Sequence, residues 1–462
     1  MTAGFSMGLH DIAQLLGADP PASSVAGLLL SGVSTDSRSV NAGELFIALN
    51  GLNYDGHAFV AAAAKRGAAA ALVSRIVAEV SIPQILVADT RLALGRLAQG
   101  WRRRFAIPVL ALTGSNGKTT VKEMLRAILS AHLGNPDAVL ATEGNLNNDI
   151  GVPQMMLRLN ANHKLAIFEL GMNHFGEIAY LTSILEPDVA VVVMTGTAHI
   201  GQLGSREAIA RAKGEIFTAL KPGGVAVVNM HDRFGVYWKG LAADRRVIGF
   251  GVSPEDEVCG KFDPDSEGAL TIAWQDQEIK VQLAVLGNHN QGNALAAAAG
   301  ACALGVPMAA IKAGLEAFRG VAGRLQSYRG HNSATIIDDT YNANPDSVRA
   351  AIAVLAKLSS PRILVLGDMG ELGDNAAAMH ADVGTIARDA GIDSFCATGD
   401  LMRVAVRAFG KGAEHFQEID LLVNAIKPRL AAGTHVLVKG SRFMKMERVV
   451  AQLVPNYHGG HA

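Results

Sequence analysis

The chain has 462 residues, of which 49% are hydrophobic and 18% are charged, and its formal net charge is -1. By length alone about three domains are expected, each large enough to bury a core. The near-neutral charge and the lack of a long basic block argue against a nucleic-acid or anionic-membrane partner. Cys259, Cys302 and Cys396 form no CxxC or Cys/His pattern, so neither a disulfide framework nor a zinc site is expected.

The N-terminal residues lack a basic start followed by an apolar core. No apolar run approaches the roughly 18 residues that a membrane span needs. We therefore expect a cytoplasmic protein without an export signal or a membrane anchor.

The first hundred residues alternate short strands with glycine-rich turns. An alanine-rich helix is predicted around residues 61–71, and a second helical run contains Trp101 and the three arginines that follow it. This pattern predicts a small N-terminal α/β domain over residues 1–104.

An apolar strand, a glycine-rich turn and a helix beginning near Thr119 open the next segment. Apolar strands are predicted at residues 165–170, 189–195 and 225–229, and helical patterns such as residues 206–220 separate them. Continuous apolar strands between helices indicate a parallel sheet that is covered on both faces. We expect a central parallel-sheet domain of the P-loop ATPase type over residues 105–322.

The glycine-rich segment FRGVAGR precedes a further set of strands, in ATIID, RILVLG, SFCAT and HVLVKG, which helices separate. This arrangement predicts a second open α/β sheet, a Rossmann-like C-terminal domain over residues 323–462. The expected fold class is therefore α/β with three domains.

The segment TGSNGKTT, called the phosphate loop below, follows the first strand of the central domain and comprises Thr113, Gly114, Ser115, Asn116, Gly117, Lys118, Thr119 and Thr120. Its glycines allow a tight turn whose backbone N–H groups point inward at the start of a helix, which suits a phosphate group. Lys118 would reach the terminal phosphates, and the Thr119 hydroxyl would help to coordinate magnesium. Leu112 replaces the first glycine of the longer Walker pattern. The alternative is a chance Gly-Lys-Thr turn.

Two strand ends carry candidates for metal chemistry. Glu169 ends the strand LAIFEL, and His199 follows the next predicted strand. Ligands gather at the carboxyl edge of open parallel sheets, and a carboxylate there suits a hard cation. The alternatives are a solvated acid and an ordinary loop histidine.

Further residues suit a nucleoside. Asn290 and Asn293 are three apart on one helix face, where their amides can pair with an adenine edge, although helix capping explains asparagines as well. Asp339 is expected to begin a turn and to accept hydrogen bonds from ribose hydroxyls, with Pro345 starting the next helix. Arg324, after the glycine-rich hinge, would bring a cation to the γ-phosphate when the C-terminal domain closes.

Together these segments resemble the Mur ligases, which build the peptide stem of the bacterial cell-wall precursor. The resemblance covers the whole chain in the family's order: STDSRSVNAGELFIALNG with DGHAF, TGSNGKTT, EGNLNNDIGVP, FELGMN, GNHNQGN, the Gly323-Arg324 pair and DDTYNANP. Within the family, NLNNDIGVP, DDTYNANPDS, GDMGELG and VKGSR look most like the member that adds a D-alanyl-D-alanine dipeptide, and no DNPR-type motif occurs.

The resemblance implies an ATP- and Mg²⁺-dependent ligase that forms an acyl phosphate on UDP-N-acetylmuramoyl-tripeptide and couples it to D-alanyl-D-alanine. It implies that Lys118, Glu169, His199, Lys213 and Arg324 are catalytic, and that Thr119, Glu169, His199 and Lys213, as a carbamate, form the metal site. A carbamate forms only from a neutral amine, so a lowered pKa is expected for Lys213. From the sequence alone, Lys213 can equally face water or pair with Glu207 or Glu215.

For the substrates, the resemblance implies a set of contacts. The uridine end would meet Asp36, Ser37 and Arg38. The muramoyl peptide would face Asn145, Asn147 and Asn148, for which a turn-forming role is the alternative. The dipeptide would meet Tyr341, Asn342 and Asn344. A monomer that binds neither nucleic acid nor membrane is expected.

Two other functions fit parts of the sequence. One is a different Mur-type or folylpolyglutamate-synthase-like ligase, which would not need the DSR and DGHAF segments. The other is a nucleotide-binding switch without ligase chemistry, which the phosphate loop alone does not exclude. The absence of an NKxD motif and the acid and histidine at successive strand ends favour an enzyme.

Overall fold

The computed structural model describes residues 4–19, 22–51, 54–263, 266 and 268–457. Residues 1–3 and 458–462, which the sequence assigns to the predicted first and last domains, lie outside this description. No helix in the described part of the chain is both long and apolar enough to cross a membrane.

The strands, in chain order, are β1 (Met7–Gly8), β2 (Leu29–Leu30), β3 (Val33–Ser34), β4 (Leu45–Ile47), β5 (Ala70–Val73), β6 (Gln84–Leu86), β7 (Val109–Thr113), β8 (Val139–Ala141), β9 (Leu165–Glu169), β10 (Val189–Val192), β11 (Val225–Asn229), β12 (Arg246–Gly251), β13 (Val258–Phe262), β14 (Ala269–Trp274), β15 (Gln277–Gln282), β16 (Gln326–Arg329), β17 (Thr335–Asp339), β18 (Arg362–Gly367), β19 (Ser394–Thr398), β20 (Ala413–Phe416) and β21 (His435–Lys439).

The α-helices are α1 (Leu9–Leu16), α2 (Val60–Lys65), α3 (Thr90–Arg102), α4 (Lys118–Leu133), α5 (Gly151–Met156), α6 (Glu177–Leu185), α7 (Ile200–Leu203), α8 (Arg206–Gly214), α9 (Gly235–Leu241), α10 (Asn288–Ala303), α11 (Met308–Ala317), α12 (Pro345–Ala356), α13 (Ala376–Asp389), α14 (Met402–Phe409), α15 (Ile419–Ile426) and α16 (Glu447–Leu453).

Three sheets contain most of the strands in the described part of the chain, and β1 and β2 form a separate antiparallel pair. The strand order of the largest is β15-β14-β13-β12-β11-β10-β7-β9-β8. A parallel sheet has the order β3-β4-β5-β6. The third has the order β16-β17-β21-β18-β19-β20, in which only the edge pair β16–β17 is antiparallel. The expected α/β class with several parallel sheets is therefore confirmed.

By compactness the described chain divides into two units. The first comprises residues 1–112, 133–190 and 215–226, and the second comprises residues 113–132, 191–214 and 227–462. The second unit contains the phosphate loop and the whole six-stranded sheet. Two clusters of buried apolar side chains cover opposite faces of that sheet, one under α12, α13 and α14 and the other under α15 and α16.

Several element predictions were wrong. The predicted helix over residues 61–71 ends at Lys65, and Ala70–Val73 is a buried strand. Gly67 has φ +105, a conformation that ends a helix, and the alanines after it are small enough for the interior of a sheet. The helix predicted over residues 206–220 ends at Gly214, and Glu215–Phe217 forms a 3-10 turn.

The structure also contains an antiparallel meander that the sequence did not reveal. Strand β13 pairs with β14, and β14 pairs with β15, over residues 258–282. The turn between β14 and β15 contains Gln275, whose φ is +52 and which is an unusual residue for that conformation. Because no Asn-Gly or Asp-Gly turn marks the hairpin, its strands were not recognisable.

Candidate active site

The phosphate loop connects strand β7 to helix α4, which begins at Lys118. Gly117 has φ +80, and a Cβ there would lie 2.3 Å from Oδ1 of Asn293. Only glycine therefore satisfies both the backbone conformation and the close approach of α10. The N–H of Ser115 donates to the carbonyl of Met194 at 2.9 Å, which ties the loop to the segment after β10.

The donors around this loop are only partly used within the protein. Nζ of Lys118 donates to the carbonyl of Gly114 at 2.7 Å. Oγ of Ser115 and Nε of Arg324 are buried, and neither has a hydrogen-bond partner among the described residues. Since buried polar groups are nearly always hydrogen-bonded, two such atoms at one loop indicate a place for a polar ligand.

Arg324 reaches the phosphate loop from the segment that precedes β16. Its Nη2 donates to Oγ1 of Thr119 at 3.2 Å, and its guanidinium carbon lies 4.3 Å from the centroid of the Tyr341 ring. The N–H of Tyr341 donates to the carbonyl of Gly323 at 3.2 Å. The ring therefore supports the planar guanidinium and directs it toward the start of α4.

His199 lies at the N-terminus of α7, in a left-handed conformation with φ +65. Its Nδ1 is 2.9 Å from Oε2 of Glu371. The hydrogen bond from His199 holds the pKa of Glu371 below its usual value, with a further contribution from the charges of His199 and Lys118. Glu371 therefore lies on the Nδ1 side of the ring.

Lys213 is almost completely buried on α8, with 1% of its surface exposed. Burial lowers the pKa of its amine well below the usual range, and the charge of Lys118 lowers it further. The interpretation of Lys213 as a water-facing lysine was therefore wrong. Glu207 pairs instead with Arg233, and Glu215 accepts the N–H groups of Gly176 and Ala179.

Asn290 and Asn293 are buried on α10, and Nδ2 of Asn293 donates to Oδ1 of Asn290 at 3.0 Å. Nδ2 of Asn290 donates to the carbonyl of Leu286. The N-cap of this helix is Gly287, without a side-chain cap, so the capping explanation of the two asparagines was wrong.

Asp339 is the last residue of β17 and not the start of a turn, because its backbone pairs in register with Lys439 of β21. The carboxylate lies 2.7 Å from Nζ of Lys439. Pro345 begins α12, as predicted, and Asn344 forms a capping box with Ser347. Oδ1 of Asn342 accepts the N–H of Ala343.

Two connections to the phosphate-loop region were not found from the sequence. Nδ2 of Asn344 donates to Oδ1 of Asn116 at 2.8 Å. Asp346 accepts hydrogen bonds from Thr197 and Arg206. These pairs are 228, 149 and 140 residues apart in sequence. An acid in the first turn of a helix is common without any partner, so no local signal marked Asp346.

In the first unit, Glu169 is 3% exposed at the end of β9. Its Oε1 accepts from Nδ2 of Asn147 at 2.9 Å, and its backbone N–H donates to Oγ1 of Thr142. Asn148 instead holds the chain at the start of α5, since its Oδ1 accepts the N–H groups of Ile150 and Gly151. The backbone carbonyl of Asn145 accepts the N–H of Asn147.

The N-terminal candidates also lie in the first unit. Arg38 forms a forked pair with the carboxylate of Asp36, with Nη2 to Oδ2 at 2.8 Å, and this pairing lowers the pKa of Asp36 to about 2. Ser37 lies between them in the chain. The neighbouring Thr35 accepts from Nε2 of Gln154 on α5 at 2.6 Å, so this segment is joined to the helix that follows Asn148.

Comparison with known families assigns the chain. The Mur ligase family, catalytic domain, matches residues 29–102, the Mur ligase middle domain matches residues 112–301, and the Mur ligase, glutamate ligase domain, matches residues 323–442. The chain therefore belongs to the Mur ligase family, and its interpretation as a ligase is confirmed.

Within that family, the chain is similar to ligases of one kind. It is 42% identical to the UDP-N-acetylmuramoyl-tripeptide--D-alanyl-D-alanine ligase of Escherichia coli (strain K12), over 93% of this chain and 95% of that one. It is 39% identical to the ligase of the same name from Haemophilus influenzae, over 91% of this chain and 93% of that one.

Solved structures give the same picture. The chain superposes on MurF from Acinetobacter baumannii with a TM-score of 0.89 at 37% identity, covering 98% of this chain and 99% of that one. The MurF ligase of Thermotoga maritima in complex with ADP gives a TM-score of 0.80 at 27% identity, over 91% and 96% of the two chains.

Proposed function

We propose that this chain is an ATP-dependent ligase that joins D-alanyl-D-alanine to UDP-N-acetylmuramoyl-tripeptide. The products are UDP-N-acetylmuramoyl-pentapeptide, ADP and phosphate, which places the reaction in peptidoglycan synthesis. The observation that carries this proposal is the 42% identity, over 93% of the chain, to a ligase named for this reaction. The matching chemistry is supplied at the phosphate loop, where Oγ of Ser115 and Nε of Arg324 are buried and have no hydrogen-bond partner among the described residues.

The reaction requires activation because a carboxylate oxygen is a poor leaving group. The γ-phosphoryl group moves to an oxygen of the tripeptide carboxylate, and ADP leaves. The dipeptide amine then attacks the acyl carbon, the resulting tetrahedral intermediate loses phosphate together with that oxygen, and the amine nitrogen gives up a proton. The new bond is an amide.

We assign the handling of phosphate charge to the phosphate loop, Lys118 and Arg324. The loop's N–H groups and the start of α4 favour an anion. Lys118 adds a point charge, and Arg324, supported by Tyr341, adds a planar donor set on the side of Thr119. Asn290 and Asn293 are assigned to the adenine, and Asp339 to the ribose.

Magnesium is the cation we assign to the site. When bound, it offsets the charges of the triphosphate and the carboxylate and stabilises the transferring phosphoryl group. The proposed ligands are Thr119, Glu169, His199 and Lys213 as a carbamate. Lys213 fits this role because burial lowers the pKa of its amine, and a lowered pKa favours the neutral form that a carbamate requires: the amine combines with carbon dioxide and releases a proton. Thr119 supplies the hydroxyl expected after a phosphate-loop lysine.

The substrates divide among the proposed domains. Residues 1–104 would hold the UDP end through Asp36, Ser37 and Arg38, and residues 105–322 would bind ATP and, through Asn145, Asn147 and Asn148, the muramoyl peptide. Residues 323–462 would close over ATP and admit the dipeptide at Tyr341, Asn342 and Asn344. We propose a monomeric cytoplasmic enzyme.

The test is ADP release from the purified chain with UDP-N-acetylmuramoyl-tripeptide, ATP and Mg²⁺. Both lysine- and diaminopimelate-containing tripeptides are supplied, and D-alanyl-D-alanine is compared with D-alanine, D-glutamate and L-lysine as the amine. Turnover that depends on the dipeptide and yields the pentapeptide mass supports the proposal. Turnover with a single amino acid and none with the dipeptide would contradict it.

A further inference from the structure

The segment that carries His199 is anchored from two sides. Residues 194–201, called the 194–201 loop below, follow β10 and lead into α7. On one side, the N–H and Oγ1 of Thr195 both donate to Asp232, at 2.7 and 3.0 Å. On the other side, the N–H and Oγ1 of Thr197 both donate to Oδ2 of Asp346, at 2.7 and 2.9 Å.

Asp346 uses both of its oxygens in this arrangement. While Oδ2 accepts from Thr197, Oδ1 accepts from Nη2 of Arg206 on α8 at 3.0 Å and lies 3.5 Å from Nη1 of Arg349. The side chain is only 19% exposed. A carboxylate that accepts a backbone N–H, a hydroxyl and a guanidinium is held in one orientation.

The 194–201 loop is also pressed against the phosphate loop at this point. A Cβ on Gly196 would lie 2.9 Å from Oδ2 of Asp346, 3.2 Å from Nδ2 of Asn116 and 3.2 Å from Cβ of Ser115. The backbone at Gly196 is therefore confined between Asp346 and the phosphate loop. A movement of Asp346 would free the loop on that side.

We propose that Asp346 is a positioning residue for the reaction: it fixes the 194–201 loop, and with it His199, against the phosphate loop when the C-terminal segment is in place. This inference rests on the proposed function. It makes the assembly of the phosphate-transfer site depend on α12, whose first turn carries Asp346 beside Asn344.

A simpler role for Asp346 is an acid that complements the dipole of α12. Such an acid needs only a position in the first turn and no specific partner. Asp346 instead accepts hydrogen bonds from Thr197, which is 149 residues away in sequence. In addition, α12 is already capped by Asn344 and Ser347. The dipole role predicts an effect on stability alone, whereas the positioning role predicts an effect on the 194–201 loop and on turnover.

The experiment compares Asp346→Ala and Asp346→Asn with the unchanged chain. Hydrogen exchange measured by mass spectrometry reports the N–H of Thr197, and steady-state kinetics reports kcat and KM. We expect Asp346→Ala to lose protection in the peptide that contains Thr197. Because misplacing a reacting group by about 1 Å costs about 100-fold in rate, kcat should fall by about 10- to 100-fold, with the KM for ATP changed less than about threefold.

Asp346→Asn keeps one carbonyl oxygen that can accept from Thr197, so protection and most of the lost kcat should be restored. Asp393→Asn is the matched control, because Asp393 accepts from Ser360 and Arg362 elsewhere in the same unit. It should change neither quantity relative to the unchanged chain.

If Asp346→Ala does not fold, Thr197→Val removes only the hydroxyl bond and should lower kcat by a few-fold. The inference would be overturned if Asp346→Ala, or Thr197→Val in its place, showed the same hydrogen exchange and the same kcat as Asp393→Asn. Hydrogen exchange needs no substrate, so this result remains separable from a failure of the proposed ligase reaction in the unchanged chain.

Discussion

Two polar edges of the second unit contain similar side chains but use them differently. At the phosphate loop, Oγ of Ser115 and Nε of Arg324 are buried without a hydrogen-bond partner in the described part of the chain. At the carboxyl edge of the six-stranded sheet, Lys439 pairs with Asp339, and Oγ of Ser441 connects the N–H of Gly370 to the carbonyl of Ala343.

The difference indicates that the first edge serves a ligand and that the second edge stabilises the fold. Leaving a buried donor unsatisfied costs about 1–3 kcal/mol, so the phosphate loop is arranged for a ligand that satisfies those donors. The paired groups of the second edge are a scaffold, and the segments that follow its strands carry Asn344, Asp346 and Glu371 to the phosphate-loop region. Changes at the first edge should therefore affect turnover, and changes at the second should affect stability.

The largest expected effect is that of Lys118→Met. It removes a charge that we assign to the transferred phosphate, and we expect kcat/KM to fall by about 100- to 1,000-fold. The free energy of unfolding should change by less than about 1 kcal/mol, because Lys118 is only half-buried and its hydrogen bond to the carbonyl of Gly114 lies within the phosphate loop itself. ADP release and urea unfolding measure the two quantities. Lys312→Met, on the exposed face of α11, is the control. A large loss of stability in Lys118→Met would contradict the expectation that changes at the phosphate loop affect turnover and not stability.

Arg324→Ala should lower kcat by about 100-fold, because the variant lacks the charge that we assign to the transferring phosphoryl group. Arg324→Lys restores the charge but not the planar stack on Tyr341, so it should recover only part of the loss. Tyr341→Phe keeps the ring and should leave kcat within about threefold. Equal activity of the alanine and lysine variants would argue that the charge itself is not used.

At the second edge, Lys439→Met leaves the carboxylate of Asp339, which is 13% exposed, without the ammonium group that it pairs with. Breaking such a pair is expected to lower the free energy of unfolding by about 3 kcal/mol. The exposed pair of Lys312 and Glu316 gives the scale for comparison, since Lys312→Met should cost less than about 1 kcal/mol. Urea unfolding of the two variants side by side measures the difference. Equal stability of Lys439→Met and Lys312→Met would mean that the Lys439–Asp339 pair does not stabilise the second edge.

A smaller effect concerns His380, whose Nε2 accepts the N–H of Met369 and whose Nδ1 faces the carbonyl of Ala376 at 2.7 Å. Burial lowers the pKa of His380 below its usual value of 6.5. Below about pH 6.5 the unfolded chain takes up a proton that the folded chain resists. The contribution of His380 to the free energy of unfolding therefore falls as the pH falls, by at most about 1.4 kcal/mol per pH unit.

His380→Gln lacks this titration and loses one of the two hydrogen bonds. We expect it to be about 1 kcal/mol less stable than the unchanged chain at pH 8, and the gap to narrow by pH 5. Urea unfolding at several pH values measures the gap. A gap that stays constant with pH would show that the neutral imidazole is not required.

The sequence predicted well what local patterns determine. The apolar strands that became β7, β9 and β11, the turn between β7 and α4 and the start of α12 at Pro345 all carry their signal within a few residues. The helix over residues 61–71 was wrong because alanine is compatible with both a helix and a tightly packed sheet, and only the conformation of Gly67 decides between them.

Contacts between residues that are far apart in the chain could not be predicted from the sequence. Nothing near Asp346 indicates that its oxygens meet Thr197, and nothing near Lys213 indicates that it is buried beside the charge of Lys118. These pairings depend on how α8, α12 and the phosphate loop pack, and packing is decided by the whole fold. The assignments of single residues to substrate or metal stay predictions.

The central claim is that the phosphate loop transfers phosphate to a carboxylate. In the direct test, both oxygens of the reacting carboxylate of UDP-N-acetylmuramoyl-tripeptide are labelled with ¹⁸O. The labelled substrate is incubated with ATP, Mg²⁺ and D-alanyl-D-alanine, and the released phosphate is analysed by mass spectrometry. An acyl phosphate passes one carboxylate oxygen to phosphate, so each phosphate should carry one ¹⁸O and the pentapeptide the other. Unlabelled phosphate, formed in step with pentapeptide, would contradict this account.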